Sequence, residues 1–293
     1  SHLCTLAVSK KSTMNLKGLD HFESIFKRAI RHRFEFKAIR LSKMLLLIDS
    51  DQDQDLKDEL KQQIFNTLET DFVLESLVVQ DFSDWQALES AILTRKPDLI
   101  IAERLLKEND KSFQHSLGVY LEAITQRINI PLLVLPVDQA FQLRPEGEIL
   151  VGTGHQYVDD SLIHFAAYFA QGSAKLRIVH VEDIDTFNYY LDAIERIPEL
   201  HSSIVRETLM EELKNRPIHY FEQVKRALGE ANHPTEVEIF SEAGRVIEVY
   251  RELITHHPVD LIIFEADDDS QLAMHSVGYS IAIEFQNIPV LLV

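Results

Sequence analysis

Two stretches of the chain share nearly the same pattern of hydrophobic and polar positions. In each, an aspartate precedes a short apolar run, at residues 99–101 or 261–263, and Asn-Ile-Pro precedes a second run, at residues 132–135 or 290–293. Apolar residues at helical spacing lie between the two runs. Two wholly apolar strands joined through a helix are typical of a βαβ crossover in a parallel sheet that is buried on both faces. Because so long a unit occurs twice, the sequence predicts a duplicated domain.

The remaining apolar runs extend this plan in both halves of the chain. In the first half we predict strands at residues 3–8, 44–48 and 72–79, and helices from about Leu19, over 56–68 and after Ser83. In the second half we predict strands at residues 149–151, 176–181 and 237–240, helices over 161–170 and after Gly244, and a mostly helical insert at about 184–230. This alternation predicts an α/β fold of two tandem, doubly wound, five-stranded parallel-sheet domains of the Rossmann-like kind. The predicted domains span residues 1–137 and 148–293, and residues 138–147 form the predicted linker.

The composition limits the environment and the partners of the chain. A formal net charge of −18 over 293 residues disfavours nucleic acid and anionic membranes as partners of the whole surface. Residues 27–43 are a basic exception, which we interpret as a solvated helix face and its exit loop, with a partner-binding patch as the alternative. The single cysteine, Cys4, fits a reducing cytoplasm, and no apolar run has the length of a membrane span.

Several short motifs follow one another along the chain, and two of them, the Asp-Leu-Ile-Ile segment and Asn-Ile-Pro, occur in both halves. They are Arg-Lys-Pro-Asp-Leu-Ile-Ile at 95–101, Leu-Gly at 117–118, Leu-Arg-Ile-Val-His-Val-Glu-Asp at 176–183, His-His-Pro-Val-Asp-Leu-Ile-Ile at 256–263, and Asn-Ile-Pro before each last strand. Their order and spacing resemble the universal stress protein family over essentially the whole chain, and the two halves resemble its tandem members of the UspE type. The resemblance implies a pseudo-dimer of two domains that pair through their last strands, at residues 132–135 and 290–293.

Members of this family that bind ATP carry an acidic residue after the first strand and a Gly-x2-Gly-x9-Gly-Ser/Thr loop after the fourth. Such glycines let backbone amides approach the phosphates at the start of the last helix. In the first half, Glu103 occupies the first glycine position, and Gly118 is followed by Val119 instead of Ser or Thr. The acid is also missing near its expected positions, where the sequence has Ser9 and Gly154.

The second half departs from the motif in a similar way. Glu265 and Asp268 occupy the first two glycine positions, and Gly278 is followed by Tyr279. Counting backward from the last strand places Ser276 at the last glycine instead, so the register has two alternatives. Carboxylates repel phosphates, and side chains prevent the close approach that glycine allows. The motif is therefore degenerate in both halves, and we expect neither ATP nor another cofactor.

The crevice of the second half is the best candidate for a small-molecule site, because ligands of such sheets bind at the carboxyl ends of the strands. Its candidate residues are Gly154, His155, Val181, Glu265, Asp268, Ser276, Gly278, Tyr279 and Ser280. His180 lies at the same edge, and we interpret it as a packing residue. The acidic run at 265–269 lacks calcium-loop spacing and is expected to be a solvated loop, so we predict no metal site. No local motif of a nucleophile or general base occurs, and we predict no catalytic residues.

These observations favour a non-enzymatic, cytoplasmic stress-response protein that acts through protein partners or through self-association of its last strands. A sensor of a nucleotide or another metabolite, which would use the second crevice, is the first alternative. A cytosolic regulatory module of a larger protein such as a transporter is the second.

Overall fold

The computed structural model describes residues 33–49, 58, 62, 72–108, 115–137, 144, 146–153, 160–170, 172, 174–194, 203–266 and 277–293. The strand predicted at 3–8, the helix predicted from Leu19 and most of the helix predicted at 56–68 lie outside these ranges. Residues Phe34–Val293 belong to one compact unit.

Alternating strands and helices make up this unit, as the apolar pattern predicts. The described strands are β1 (Lys43–Ile48), β2 (Val73–Val78), β3 (Leu99–Glu103), β4 (Leu132–Leu135), β5 (Glu148–Thr153), β6 (Lys175–Asp183), β7 (Glu236–Gly244), β8 (Val259–Phe264) and β9 (Val290–Leu292). The described α-helices are α1 (Trp85–Arg95), α2 (Val119–Arg127), α3 (Asp160–Phe169), α4 (Ile184–Ile194), α5 (Ser203–Glu230), α6 (Val246–His256) and α7 (Val277–Glu284). No described helix is both long and apolar enough to cross a membrane.

The strands form one sheet in the order β2-β1-β3-β4-β9-β8-β5-β6-β7. Its neighbouring strands are parallel except at β4 and β9, which run antiparallel and join the two halves. Leu133 lies opposite Leu291 in this pairing. The pairing of the last strands that the resemblance implies is therefore confirmed within the chain. Because β3 and β8 occupy the other edges of β4 and β9, a second copy could pair there only after the sheet opened.

The position of β1 corrects the predicted order of the first half. The strand predicted at 44–48 as the second of five lies between β2 and β3, and β3 is the strand of the repeated stretch. In the second half the corresponding place belongs to β5, the first strand, which lies between β6 and β8. The strand β1 therefore takes the place of a first strand. The described part of the first half contains four strands, and the strand predicted at 3–8 lies outside it.

The repeated aspartate has the same structural role in both halves. Asp98 accepts hydrogen bonds from the amides of Ser42 and Lys43 through Oδ2, at 2.7 and 2.9 Å. Asp260 accepts from Nε of Arg144 at 2.9 Å, and from its amide at 3.3 Å. Each aspartate thus fixes the segment that leads into the neighbouring strand, β1 or β5. The conspicuous Asp-Leu-Ile-Ile repeat is explained by strand entry and not by ligand chemistry.

Each face of the sheet carries its own apolar layer. Helices α3 and α5 pack on one face, and α1, α2, α6 and α7 pack on the other. The extended segment at residues 34–41 adds to the first layer, because the Phe34 ring lies 5.6 Å from the His164 ring in α3 and 5.9 Å from the Tyr220 ring in α5. A segment that precedes β1 therefore covers helices of the second half.

The predicted helical insert forms α4 and the longer helix α5, which contains Pro217. Proline has no amide hydrogen, so the preceding turn of the helix loses one hydrogen bond. The Ser241 hydroxyl in β7 donates to the carbonyl of Lys214 in that turn, at 2.6 Å. This contact ties the interrupted helix to the outer strand of the sheet.

A buried ion pair links β5 and β6 at the amino ends of the strands. Arg177 is 4% exposed and Glu148 is 9% exposed. Nε of Arg177 donates to Glu148 Oε2 at 2.7 Å, and the same guanidinium also donates to Glu238 of β7. The hydrogen bonds from Arg177 hold the pKa of Glu148 below its ordinary value, although burial opposes that shift.

We predict that Arg177→Met lowers the free energy of unfolding by about 3–5 kcal/mol at pH 7, because it leaves the Glu148 carboxylate buried without its partner. Arg245→Met is the matched control, since the Arg245 side chain is 63% exposed in its ion pair with Asp185. The free energy of unfolding of Arg245→Met should fall by less than about 1 kcal/mol. Urea denaturation of both variants measures the difference.

The pH dependence of the unfolding free energy distinguishes the loss of the ion pair from the loss of packing in Arg177→Met. A carboxylate with a lowered pKa stabilises the fold above its pKa in the unfolded chain, about 4.3, and this stabilisation is lost as the pH falls below that value. The deficit of Arg177→Met should therefore shrink between pH 5 and pH 3. A deficit that is equal at pH 7 and pH 3 would assign the effect to lost packing.

Candidate functional site

The order in which successive strands are added to the sheet reverses at two places, between the parallel neighbours β1 and β3 and between β5 and β8. Ligands of open parallel sheets bind outside the carboxyl ends of the strands at such positions. We name these places the first crevice and the second crevice. The sequence predicts ligand-binding residues in the second crevice. The structure, however, describes more of the residues that line the first crevice.

An acidic residue is present in the first crevice, contrary to the prediction based on Ser9. Because β1 takes the place of the first strand, the acid that follows that strand is Asp49. Asp49 Oδ1 accepts a hydrogen bond from the amide of Lys107, at 2.6 Å. The acid is thus bound to the protein's own backbone. The prediction failed because residues 3–8, which lie outside the described ranges, were assigned as the first strand.

Residues 104–108, here named the closing segment, follow β3 and fill the first crevice. Leu105 and Leu106 are buried, at 2% and 1% exposure. Leu105 and Lys107 have φ angles of 56° and 66°, in the left-handed region that costs a residue with a side chain roughly 1–2 kcal/mol. The contacts of the closing segment must offset this cost.

The Lys107 side chain supplies several of these contacts. Its Nζ donates to the carbonyl of Phe82 at 2.9 Å. It also lies 4.7 Å from the centre of the Phe82 ring and 5.3 Å from the centre of the Tyr120 ring. A lysine in such a crevice is a natural phosphate ligand, but here the ammonium is engaged by a carbonyl and two aromatic faces.

The amino terminus of α2, where a phosphate would bind, is capped by side chains. Ser116 Oγ accepts from the amide of Gly118 at 2.8 Å, and Glu108 Oε1 accepts from the amide of Val119 at 3.2 Å. Gly118 has φ +94°, and a Cβ at this position would lie 2.9 Å from Cα of Leu105. The glycine is therefore required by close backbone packing, even though a carboxylate occupies the helix terminus.

Glu103, assigned from sequence to the first glycine position, lies in β3 opposite Leu135 of β4. It is the last residue of that strand and is half-buried. The loop therefore begins one residue later than the motif predicts, at Arg104.

The predicted residues of the second crevice are described only in part. Gly154, His155, Asp268 and Ser276 lie outside the described residues. Val181 is buried in β6, and Ser280 is exposed on α7. Glu265 follows β8 directly, and its carbonyl oxygen would lie 2.4 Å from a Cβ placed on Gly278. Gly278 thus lets α7 pack on the end of β8, as Gly118 does for α2.

Tyr279 connects the two halves of the chain. Its hydroxyl donates to Glu122 Oε1 in α2 at 2.6 Å, and the Ser116 hydroxyl donates to the same oxygen at 2.6 Å. Burial, together with the negative charge of Glu122, raises the pKa of Tyr279. The side chain predicted to contact a ligand is therefore engaged at the contact between α7 and α2.

Arg104 belongs to the same contact and was not predicted from sequence. It is 3% exposed, and its guanidinium donates to the carbonyl of Ala282 in α7 and to that of Ser116, the latter at 3.0 Å. Burial lowers the pKa of Arg104. An arginine just after a buried strand gives no sequence signal for such a role, because its acceptors are backbone carbonyls of distant segments.

A polar cluster lies at the carboxyl ends of β5 and β6. His180 is 2% exposed, and its Nδ1 lies 3.2 Å from Thr153 Oγ1. Its Nε2 is buried without a hydrogen-bond partner among the described residues, and Glu182 Oε2 lies 3.5 Å away. That separation is too long for a well-formed hydrogen bond. His180, interpreted from sequence as a packing residue, thus carries an unsatisfied polar atom next to a carboxylate.

The described residues contain no group of three or more His, Cys, Asp or Glu side chains that could hold a metal ion. The acidic run at 265–269 is described only at Glu265, so its predicted role as a solvated loop remains a prediction.

No known protein-family profile matches the sequence, and no curated protein is significantly similar to it. Several solved structures resemble the fold. A universal stress protein from Archaeoglobus fulgidus shares 14% identity, with 97% of this chain and 93% of that chain covered, at a TM-score of 0.47. A putative universal stress protein from Pseudomonas aeruginosa shares 11% identity, with 86% and 93% covered, at a TM-score of 0.47. A functionally unknown protein from the same species shares 11% identity, with 86% and 92% covered, also at 0.47. Similarities at this level do not identify a ligand or an activity for this chain.

Proposed function

We propose that this chain is a non-enzymatic, cytoplasmic stress-response protein of the universal stress class that acts through protein partners and not through ATP. The observation that carries the proposal is the closing segment in the first crevice. Protein groups there occupy the positions that a nucleotide would need, which are the acid after the first strand and the amide donors at the start of the last helix.

Electrostatics and packing both oppose a triphosphate in the first crevice. The Glu108 carboxylate at the start of α2 would repel it, because like charges at a shared site disfavour each other. A nucleotide would also have to separate Asp49 from the amide of Lys107 and expose the buried Leu105 and Leu106. Exposing two leucine side chains costs about 3–6 kcal/mol, using roughly 1.5–3 kcal/mol for each.

The strand pairing in the sheet also limits where a partner could bind. Both last strands are paired on their two edges within the chain, so partner contacts are better sought on the helices and on the outer strands β2 and β7.

We predict that millimolar ATP with magnesium leaves the thermal midpoint of the full chain unchanged, because protein groups occupy the first crevice and the glycine motif of the second half is degenerate in sequence. A ligand at a hundred times its dissociation constant adds about 2.7 kcal/mol of stability, which a thermal scan detects easily. Sodium sulfate at equal ionic strength controls for general salt effects. A magnesium-dependent rise with ATP that sulfate does not reproduce would contradict the proposal.

A second candidate function, a sensor of a small polar metabolite in the second crevice, is favoured by one observation. The buried Nε2 of His180 has no hydrogen-bond partner among the described residues and lies beside Glu182 at the carboxyl ends of the strands. Buried polar atoms are normally hydrogen-bonded, so a ligand group or a water is the natural partner. A ligand with a hydroxyl or amide group fits this requirement.

For this second function we predict that His180→Leu changes the free energy of unfolding by less than about 1 kcal/mol, because removal of the unsatisfied Nε2 atom offsets the loss of the contact between Nδ1 and Thr153 Oγ1. His233→Leu is the matched control. It removes a hydrogen bond between Nε2 and the Ala167 carbonyl, 3.1 Å long, and should cost about 1 kcal/mol.

Chemical denaturation compares the two histidine variants, and thermal scans with a metabolite panel test the ligand response. A metabolite that stabilises the wild type but not His180→Leu would support the sensor function. A loss above about 2 kcal/mol in His180→Leu would instead identify His180 as a structural residue.

A further inference from the structure

The strand β7 ends the sheet on the side of the second half. It pairs with β6 along its whole length, and no described strand pairs with its other edge. Alternate residues of an outer strand present unpaired backbone amides and carbonyls, which form a template for one more strand. Proteins that recognise extended peptides use such edges, where backbone hydrogen bonds supply affinity and pockets for alternate side chains supply specificity.

A groove accompanies this edge. It has a volume of about 710 Å³ and lies between β7 and α5. Residues 235–240 form the strand side, and Glu222, Lys225 and Gly229 form the helix side. Gly229 faces open space, because a Cβ at this position would meet no atom within 4 Å. The helix thus leaves room for side chains of an added strand.

The negative charge of the groove favours a positively charged occupant. Glu222, Glu236 and Glu238 line it, against the single cation Lys225. Lys175 and Arg177 engage Glu238 from inside the sheet, whereas the Glu236 side chain is 64% exposed and lies 3.7 Å from Lys175. A second copy of this chain would bring the same carboxylates edge to edge, which is unfavourable. A basic strand would find complementary charge.

We infer that the outer edge of β7 and the adjoining groove bind an extended, basic peptide segment of a partner protein as an additional strand. Basic side chains of the peptide would face Glu236, and the alternating apolar side chains would contact Val237 and Ile239 on the α5 side of the sheet. Glu222 of α5 adds to the negative charge of the groove. This inference deepens the proposed function, because it specifies the chemistry of the partner. Peptide binding is measured separately from nucleotide binding, so a failure of the inference can be distinguished from a failure of the proposed function.

The test uses the full chain and a fluorescent eight-residue peptide of alternating lysine and valine, with an alternating glutamate and valine peptide as its control. Fluorescence anisotropy should show saturable binding of the basic peptide only, weakening as the salt concentration rises. Hydrogen exchange should slow at those alternate amides of residues 236–240 that point away from β6 when the basic peptide is bound.

Two pairs of variants locate the site. Glu222→Lys with Glu236→Lys should weaken binding at least tenfold, whereas Glu211→Lys with Glu212→Lys, at exposed positions of α5 outside the groove, makes the same change in net charge and should weaken it less than twofold. Gly229→Leu should block the groove and also weaken binding at least tenfold, whereas Gly229→Ala should bind as the wild type does. Circular dichroism verifies that all four variants fold.

Equal weakening by both charge pairs, or equal binding by Gly229→Leu and Gly229→Ala, would overturn the inference. So would an absence of exchange protection in β7. Self-association that Gly229→Leu abolishes would assign the groove to a second copy instead. A thermal shift with ATP alongside intact peptide binding would overturn only the rejection of nucleotide.

Discussion

The antiparallel pairing of β4 with β9 is the interaction on which the rest of the structure depends. It converts two short parallel sheets into one and removes the apolar edge, β4 or β9, that each half would otherwise expose. Edge strands composed of leucine and valine are prone to association. Once they pair, α2 and α7 lie on the same face, and Arg104 and Tyr279 can reach across from one half to the other. The candidate residue Tyr279 takes part in this contact.

Much of the fold could be predicted because buried parallel strands leave a simple sequence signal. The continuous apolar runs identify β1, β3, β4, β8 and β9, and helical spacing identifies the helices between them. Which strand of the first half takes the place of the first strand could not be predicted in this way, because an apolar run such as β1 carries no information about its neighbours in a sheet. Asp49 could be assigned as the acid after the first strand only once β1 was known to lie between β2 and β3. The acid was therefore predicted at the wrong position.

The candidate site was less predictable for a different reason. The degenerate motif correctly draws attention to the loop after β3, but which groups occupy the crevice depends on backbone conformation. Leu105 and Lys107 adopt positive φ angles, which no local pattern specifies for these residue types. Gly118 illustrates the same limit, because its agreement with the glycine motif reflects close packing on Leu105 and not phosphate binding. A surviving glycine is therefore weak evidence for a surviving nucleotide site.

The extended segment at residues 34–41 affects how the chain can fold during synthesis. The Glu35 carbonyl lies 3.2 Å from the His164 ring nitrogen, 129 residues further along the chain. Contacts of such high sequence separation slow folding, because a long loop must close before they form. When the first half leaves the ribosome, the apolar surface of this segment has no helix to cover. The segment can pack only after α3 and then α5 have been synthesised, so its final packing depends on the progress of translation. During that interval its apolar side chains stay exposed, and a chaperone that covers them would have its largest effect then.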